Sequence, residues 1–462
     1  MSLTFATDTS DAIALQLISS DAFEDWLSTQ PSFVQGCLTS ARFSGALGSS
    51  AVVPDTETGK PAFAVGGSGT AKTRQRGRFH LAKIRSGLPS GIYKLAEQGT
   101  ANLTEADLLG WLLEGYRFAR YKPAGESDVQ LVAPSGFDIA RIERLASGEA
   151  LTRDLINTPP NDLGPDALEA AAKGVAESFG AQITTISGDA LARDFPMIHA
   201  VGHGSSRRPR LVDITWGESG PTLTLVGKGV CFDTGGLDIK PAAGMGLMKK
   251  DMGGAATVLG LATMIMGLNL PLRLRVLLPI VENSISGDAM RPQDILKSRK
   301  GLSVEVNNTD AEGRLILADA LAYADEAKPD LLISMATLTG AARVAVGPDL
   351  APFFASDDAL AQSLSAAGDQ TADPLWRLPF WEPYESMIEP GIADLDNAPA
   401  GGFAGAITAA LFLRRFVTDT PRYAHFDIYG WQPTAAPGRP KGGVGQGARA
   451  ILNALPALLD LK

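Results

Sequence analysis

Pro221-Thr-Leu-Thr-Leu-Val226 reads as a buried strand, and the chain beyond it decides the fold. Gly253 to Gly267 is a small-residue helix, Leu272 to Val281 a second strand and Ser303 to Val306 a third. Gly313 to Glu326 is a further helix and Asp330 to Ala336 a further strand. Strands alternating with helices at this spacing predict an α/β layer around a parallel or mixed sheet. Ligands of open α/β sheets collect beyond the carboxyl ends of the strands. Two acidic clusters lie at such positions.

The first is Val226-Gly-Lys-Gly-Val-Cys-Phe-Asp-Thr-Gly-Gly-Leu-Asp-Ile-Lys240-Pro241, continued by Met248-Lys-Lys-Asp251-Met-Gly-Gly-Ala-Ala256. The second is Asn308-Thr-Asp-Ala-Glu-Gly-Arg-Leu315, with Asp310, Glu312 and Arg314 at alternate positions and so on one face of an extended turn. Asp233, Asp251, Asp310 and Glu312 stand in apolar, glycine-rich sequence, where an uncompensated carboxylate carries a heavy desolvation cost. Two divalent cations would compensate them, as in two-metal hydrolases. A metal-free network with Lys228, Lys240 and Arg314 would also do so, Arg314 then pairing with Asp310 or Glu312. Lysine can ligate a metal only as the neutral amine, which burial beside cations favours. The residues permit Lys228 as a ligand without demanding it.

Working outward, the chain of 462 residues is long enough for two domains. We expect a smaller N-terminal α/β domain over residues 1–136. A larger domain with a mixed central sheet flanked by helices is expected over residues 137–462, opened by a bridging helix at about 138–157. In the first, Ala62 to Val65 and His80 to Ile84 look like strands. Thr104 to Tyr121 looks like a helix with Thr104 and Asp107 as a capping box. Lys122 to Gly136 reads as the linker, and the Gly/Pro-rich stretch Trp431 to Gly447 as an ordered loop of the second domain. Gly66-Gly-Ser-Gly-Thr-Ala-Lys72-Thr73 imitates a phosphate-binding loop, but Ala71 replaces the glycine required before the lysine, and a glycine-rich hairpin is expected instead.

Composition narrows the function classes. A formal charge of −10 argues against nucleic acid, whose phosphates need positive charge to meet them. No basic-then-apolar leader and no apolar run of spanning length is present, so a cytoplasmic protein without membrane contact is expected. The 2 cysteines make no disulfide framework and the 4 histidines no His-based zinc motif, so carboxylates must hold any metal.

Together the two clusters resemble the signature of the leucyl aminopeptidase family, the two-metal cytosolic aminopeptidases. The likeness runs densely from about Leu155 to Ala410 and includes Asn157-Thr-Pro-Pro-Asn161, Val201-Gly-His-Gly-Ser205, Val281-Glu-Asn283 and Gly405-Ala-Ile407. It implies that Lys228, Asp233, Asp251 and Glu312 hold one metal, and Asp233, Asp310 and Glu312 the other. Zinc or manganese are the ions expected. It further implies that Lys240 stabilises the oxyanion, that Arg314 holds a bicarbonate as general base, and that a metal-bridging water attacks the scissile carbonyl. Lys240, Met248, Asn308, Thr337 and Leu338 would contact the substrate, a short peptide. For Asn308 and Thr337 to Gly340 a turn or capping role is the alternative. Assembly as a homohexamer follows from the likeness alone. After Ala424-His-Phe-Asp-Ile428 the chain departs from many family members with Tyr429-Gly-Trp431-Gln-Pro433, beside the pocket for the N-terminal side chain, which opens the side-chain preference. A ring-shaped scaffold or DNA-binding role, and a two-metal hydrolase acting on a phosphoester or a Cys-Gly dipeptide, are the other classes.

Overall fold

The computed structural model describes residues 3–97, 103–123, 125 and 128–461. They form two compact units, Met1–Ala150 with Thr434–Lys441, and Leu151–Pro433 with Gly442–Lys462. The helix expected at about 138–157 spans Ile139–Asn157, and the division between the units falls inside it.

The first unit carries a five-stranded sheet in the order Ser50–Pro54, Pro61–Gly69, Ile13–Ser19, Gly91–Leu95, Val129–Leu131. Its strands are parallel except for the antiparallel edge Ser50–Pro54. Val129–Leu131 lies in the stretch expected as linker, of which residues 124, 126 and 127 are outside the described residues. Four further expectations change here. His80–Ser86 is a helix rather than a strand, and it packs on the helix Glu105–Glu114. Leu81, Ala82, Ile84 and Arg85 are its buried positions. Five residues are too few for strand and helix periods to be told apart, and packing decided. Thr104 and Asp107 do form the capping box, but that helix ends at Glu114 instead of Tyr121. Arg85 Nη1 donates to Trp111 O and thereby takes one of the orphan carbonyls at the helix end. The Gly66 to Thr73 segment is not a hairpin: the strand runs through Gly69, and Thr70 caps a one-turn helix, Ala71–Arg74. Finally, the middle of the loop expected in the second domain belongs to the first unit, where Gly438 N–H donates to Glu114 Oε2 at 2.8 Å.

The second unit is built on a nine-stranded mixed sheet. Its order is Leu375–Arg377, Ala351–Ala355, Tyr423–Asp427, Leu331–Ala336, Thr222–Gly227, Arg273–Asn283, Arg210–Trp216, Gln182–Ser187, with Gly229–Asp233 also paired to Arg273–Asn283. The central strands Tyr423–Asp427, Leu331–Ala336, Thr222–Gly227 and Arg273–Asn283 run parallel. Thr222–Gly227 and Leu331–Ala336, at the centre of the sheet, are buried and mostly apolar, as strands covered on both faces are. Successive residues face opposite sides. Gly227 meets the helix Gly253–Gly267, whereas Val226 joins the core built on the helix Glu312–Asp325. The first helix starts so close to the sheet that a Cβ on Gly254 would lie 2.1 Å from Met335 O. Ser303–Glu305 is a strand, but of a separate three-stranded sheet with Ile295–Lys297 and Leu395–Asp396.

The main sheet breaks at Lys228. Thr222–Gly227 and Gly229–Asp233 share one partner strand in one register, with Val226 against Leu277 and Gly229 against Ile280. Lys228 between them therefore stands opposite Pro279, which has no N–H to offer. Its own N–H donates to Met335 O at 3.0 Å, and its carbonyl accepts from Ala255 N–H at 2.9 Å, inside the first turn of the helix. The carbonyl that leaves the ladder thus satisfies a helix-terminal donor, and no main-chain group is stranded. Among the described residues no helix is long and apolar enough to cross a membrane.

Candidate active site

Lys228 leaves the sheet on the face of the helix Glu312–Asp325 and runs past its start. A Cβ on Gly313 would lie 2.6 Å from Lys228 Cε, so only glycine between Glu312 and Arg314 lets the lysine through. The ammonium ends between two carboxylates, 2.7 Å from Asp251 Oδ2 and 3.0 Å from Glu312 Oε1, and donates to Thr337 O at 3.1 Å. Asp251 reaches the site from the one-turn helix Met248–Met252 and also accepts from Thr337 Oγ1 at 2.7 Å.

Asp233 ends its strand, and Gly235 and Gly236 after it adopt φ of +88° and +67°, a left-handed pair that turns the chain back. Gly235 N–H and Asn283 Nδ2 both donate to Asp233 Oδ1 at 2.9 Å. Lys240 Nζ lies 3.0 Å from Asp233 Oδ2 and pairs with Asp310 Oδ1. Asp233, Asp310 and Glu312 each offer an oxygen within 4.8 Å of the others.

The second cluster is shaped by Asn397. Its Oδ1 accepts from Asn307 N–H at 2.8 Å and Asn308 N–H at 3.2 Å, and its Nδ2 donates to Asn308 O at 2.8 Å and Ala311 O at 3.2 Å. The stretch is not the single extended turn read from its alternation, because the helix begins at Glu312. Residue 314 therefore points roughly 200° round the helix from residue 312. Arg314 donates through Nη1 to Asn397 O at 2.5 Å and shows no ion pair with Asp310 or Glu312, while its buried Nε lacks a hydrogen-bond partner among the described residues.

Burial and crowding set the charges. Desolvation, with Asp233 and Asp251 nearby, pushes the Glu312 carboxyl up to about 8, and desolvation with Asp251 takes Asp233 to about 6. Asp251 stays below its ordinary value against its burial because Lys228 and Lys250 flank it. Burial opposes the Lys228 ammonium, yet Asp251, Glu312 and Asp233 outweigh it and hold it above the usual lysine range. Lys240 behaves alike against Asp233 and Asp310. Burial brings Arg314 down to about 10. Apart from the Lys228 ammonium 3.0 Å from Oε1, the carboxyl of Glu312, which is 1% exposed, has no hydrogen-bond partner among the described residues. So closely packed a set of acids lacks about the positive charge that cations would supply.

A cavity of about 430 Å³ opens onto this group. Lys228, Asp233, Lys240, Met248, Asp251, Asp310, Thr337 and Leu338 line it. Glu312 is buried behind these walls, and Arg314 and Asn308 are not among the lining residues. Asn308 Oδ1 accepts from Asp310 N–H at 2.8 Å, a turn-forming contact, and Thr339 caps the helix Gly340–Val346. Sequence reasoning assigned no role to Lys250 and Arg343, which also line the cavity, or to the supporting Asn283, Asn397 and Asp427; Tyr429, from the stretch expected beside the pocket for the N-terminal side chain, lines it too. Asp427 accepts from Leu338 N–H, Thr339 N–H and Thr339 Oγ1 at 2.9, 3.0 and 2.6 Å. The pairing of Asn283 with Asp233 across adjacent strands was open to a register argument; Asn397 lies in a segment without any motif, and Asp427 in the Ala424 to Ile428 stretch, to which no role was given.

The model of the cytosol aminopeptidase family, catalytic domain, matches residues 150–452, and that of an aminopeptidase N-terminal domain matches residues 13–134. A probable cytosol aminopeptidase of Roseiflexus castenholzii is 46% identical over 384 residues, covering 78% of this chain and 78% of that protein. The crystal structure of the cytosol aminopeptidase of Coxiella burnetii superposes with a TM-score of 0.93 at 42% identity, over 99% of each chain. The bottromycin maturation enzyme BotP, solved in complex with Mn, superposes with a TM-score of 0.86 at 31% identity, over 97% of this chain and all of that one (100%).

Proposed function

The chain belongs to the cytosol aminopeptidase family, and from that premise we propose that its catalytic part hydrolyses the N-terminal residue from short peptides at a two-metal site formed by Lys228, Asp233, Asp251, Asp310 and Glu312. The observation that carries this reading is the Glu312 carboxyl, buried with the Lys228 ammonium as its one close partner among the described residues and with oxygens of Asp233 and Asp310 within 4.8 Å. These donors fit divalent cations, zinc or manganese foremost, since oxygen and amine ligands suit both. Bound there, the ions would lower the pKa of a water and polarise a carbonyl.

The chain's own groups divide the remaining work. Lys240 holds a full positive charge on the cavity wall, where it would meet the oxyanion that forms as the peptide carbonyl is attacked. Arg314 keeps its charge near neutral pH and has a free Nε, which suits it to retain a small anion such as bicarbonate. That anion would serve as proton acceptor, in a site whose described lining has no histidine. Leu247, Met248, Leu338 and Ile428 give the cavity its apolar surface. Residues 137–462 are the catalytic part in this reading, and a cytoplasmic homohexamer is the proposed assembly; a light-scattering mass near that of one chain would overturn the latter.

The test is release of amino acids from aminoacyl amides and short peptides. Glu312→Gln, or chelation of the metals, should reduce it by at least about a hundred-fold, given that metal activation supplies several kcal/mol of transition-state stabilisation. Full activity after either treatment would sink the proposal.

A further inference from the structure

Two cations on the cavity wall take no part in the chemistry proposed for the metal site. Lys250 is 6% exposed, yet its Nζ donates no hydrogen bond among the described residues. The nearest carboxylate oxygen, Asp251 Oδ1, is 3.9 Å away, and Asp251 is already engaged by Lys228 and Thr337. Arg343, on the exposed side of the helix Gly340–Val346, has no ion pair among the described residues either. Asp427, the other buried acid in the neighbourhood, is occupied by the Leu338 and Thr339 donors.

Both cations converge on one aromatic ring. Lys250 Nζ lies 5.5 Å and Arg343 Cζ 5.0 Å from the centroid of Tyr429, which lines the same cavity. A ring face attracts a cation but does not neutralise it, and two like charges around one ring repel unless an anion joins them. A buried ammonium with no hydrogen bond and only a shared carboxylate at 3.9 Å is costly, and the cavity is the direction from which a closer partner can come.

We propose that Lys250 and Arg343, on either side of Tyr429, form a subsite for a substrate carboxylate, and that this carboxylate is the side chain of an N-terminal Asp or Glu. The proposal rests on the aminopeptidase reading. Lys250 lies beside Asp251, one of the residues assigned to the metals that would hold the substrate amine, so the side chain of the first residue is the group that comes next to it. The C-terminal carboxylate of a dipeptide has the same chemistry and is distinguished by the test.

The metal-loaded full chain is assayed for kcat/KM on the p-nitroanilides of Glu, Gln and Leu, which carry no C-terminal carboxylate, and on Leu-Gly against Leu-Gly amide. A charge-assisted pair predicts that Glu exceeds its isostere Gln by about ten- to a hundred-fold. Lys250→Met and Arg343→Met should bring that ratio toward one, and Arg343→Glu, a change at an exposed position, should shift the preference toward Lys and Arg anilides. A Glu/Gln ratio of one in the unmodified enzyme, or an unaltered ratio in all three variants, overturns the proposal. So does a ratio of one combined with a strong preference for Leu-Gly over its amide, which would assign the cations to the peptide C-terminus. Were no amide hydrolysed, the aminopeptidase reading would fall. The subsite would then be judged by calorimetric binding of glutamate against glutamine, and equal affinities would overturn it.

Discussion

Loading the metal-free enzyme with a divalent cation should expel protons, and their number tests the role proposed for Lys228. The Lys228 ammonium is enclosed by Asp251 and Glu312 at 2.7 and 3.0 Å, which keep it protonated beyond the ordinary lysine range. To become a ligand it must lose that proton, at a cost of at least about 4.5 kcal/mol near pH 7 for a group whose pKa is no lower than ~10.4. Glu312, held at about 8, is still largely protonated at that pH, so loading should release about two protons per subunit near pH 7. Near pH 9 Glu312 is ionised, and about one proton should remain, that of Lys228. Apparent metal affinity should accordingly rise about a hundred-fold per pH unit near neutrality and about tenfold per unit near pH 9. Calorimetric titration in buffers of differing ionisation enthalpy gives the count directly. Release that vanishes by pH 9 would show that Lys228 keeps its proton and does not ligate, and the assignment would fail.

Asn397→Ala removes the four hydrogen bonds that its side chain makes to the Asn307 to Ala311 turn and should weaken metal affinity about 10- to 100-fold, measured by competition with a chelating dye; unchanged affinity would contradict its supporting role. Gly254→Ala places a Cβ 2.1 Å from Met335 O, a backbone atom that cannot yield, and should destabilise the fold by about 3 kcal/mol or more in urea titrations. In the first unit, the hydrogen bond and charge of Asp107 raise the pKa of His80. The stabilisation is present in full below the unfolded value of about 6.5 and is lost as pH rises through the folded one. The stability deficit of His80→Ala should therefore shrink from pH 6 to pH 9 in thermal denaturation, and a deficit that grows with pH would refute the assignment.

Much of the second unit was legible because its elements are long and single-minded. Gly253 to Gly267 and Asp330 to Ala336 are apolar throughout, so tertiary contacts could only bury them, and they appear as Gly253–Gly267 and Leu331–Ala336. Five carboxylate and lysine positions converge as the motifs suggested because each is adjacent to a strand end or helix start whose backbone is over-determined. What escaped were effects across sequence distance. His80 to Ile84 became helical through packing on a partner helix, and the helix from Thr104 stopped where Arg85 took its carbonyls. Arg314 diverged from Glu312 because the helix starts at the acid and not after it. Lys250, Arg343 and Tyr429 meet only once three separate segments fold around the cavity, and no local pattern announces such a meeting.

The interruption of the sheet at Lys228 makes the site a matter of reading frame. Because Thr222–Gly227 and Gly229–Asp233 keep one alignment with Arg273–Asn283 until the irregularity between Val281 and Asn283, inserting or deleting a single residue anywhere from 222 to 233 would turn Lys228 or Asp233 to the opposite face. Within this segment the site can therefore accommodate substitutions but not changes of length. Changes of length are expelled to the loops outside it, and anyone grafting the site onto another scaffold must carry over the neighbouring strand and the helix start along with the ligands.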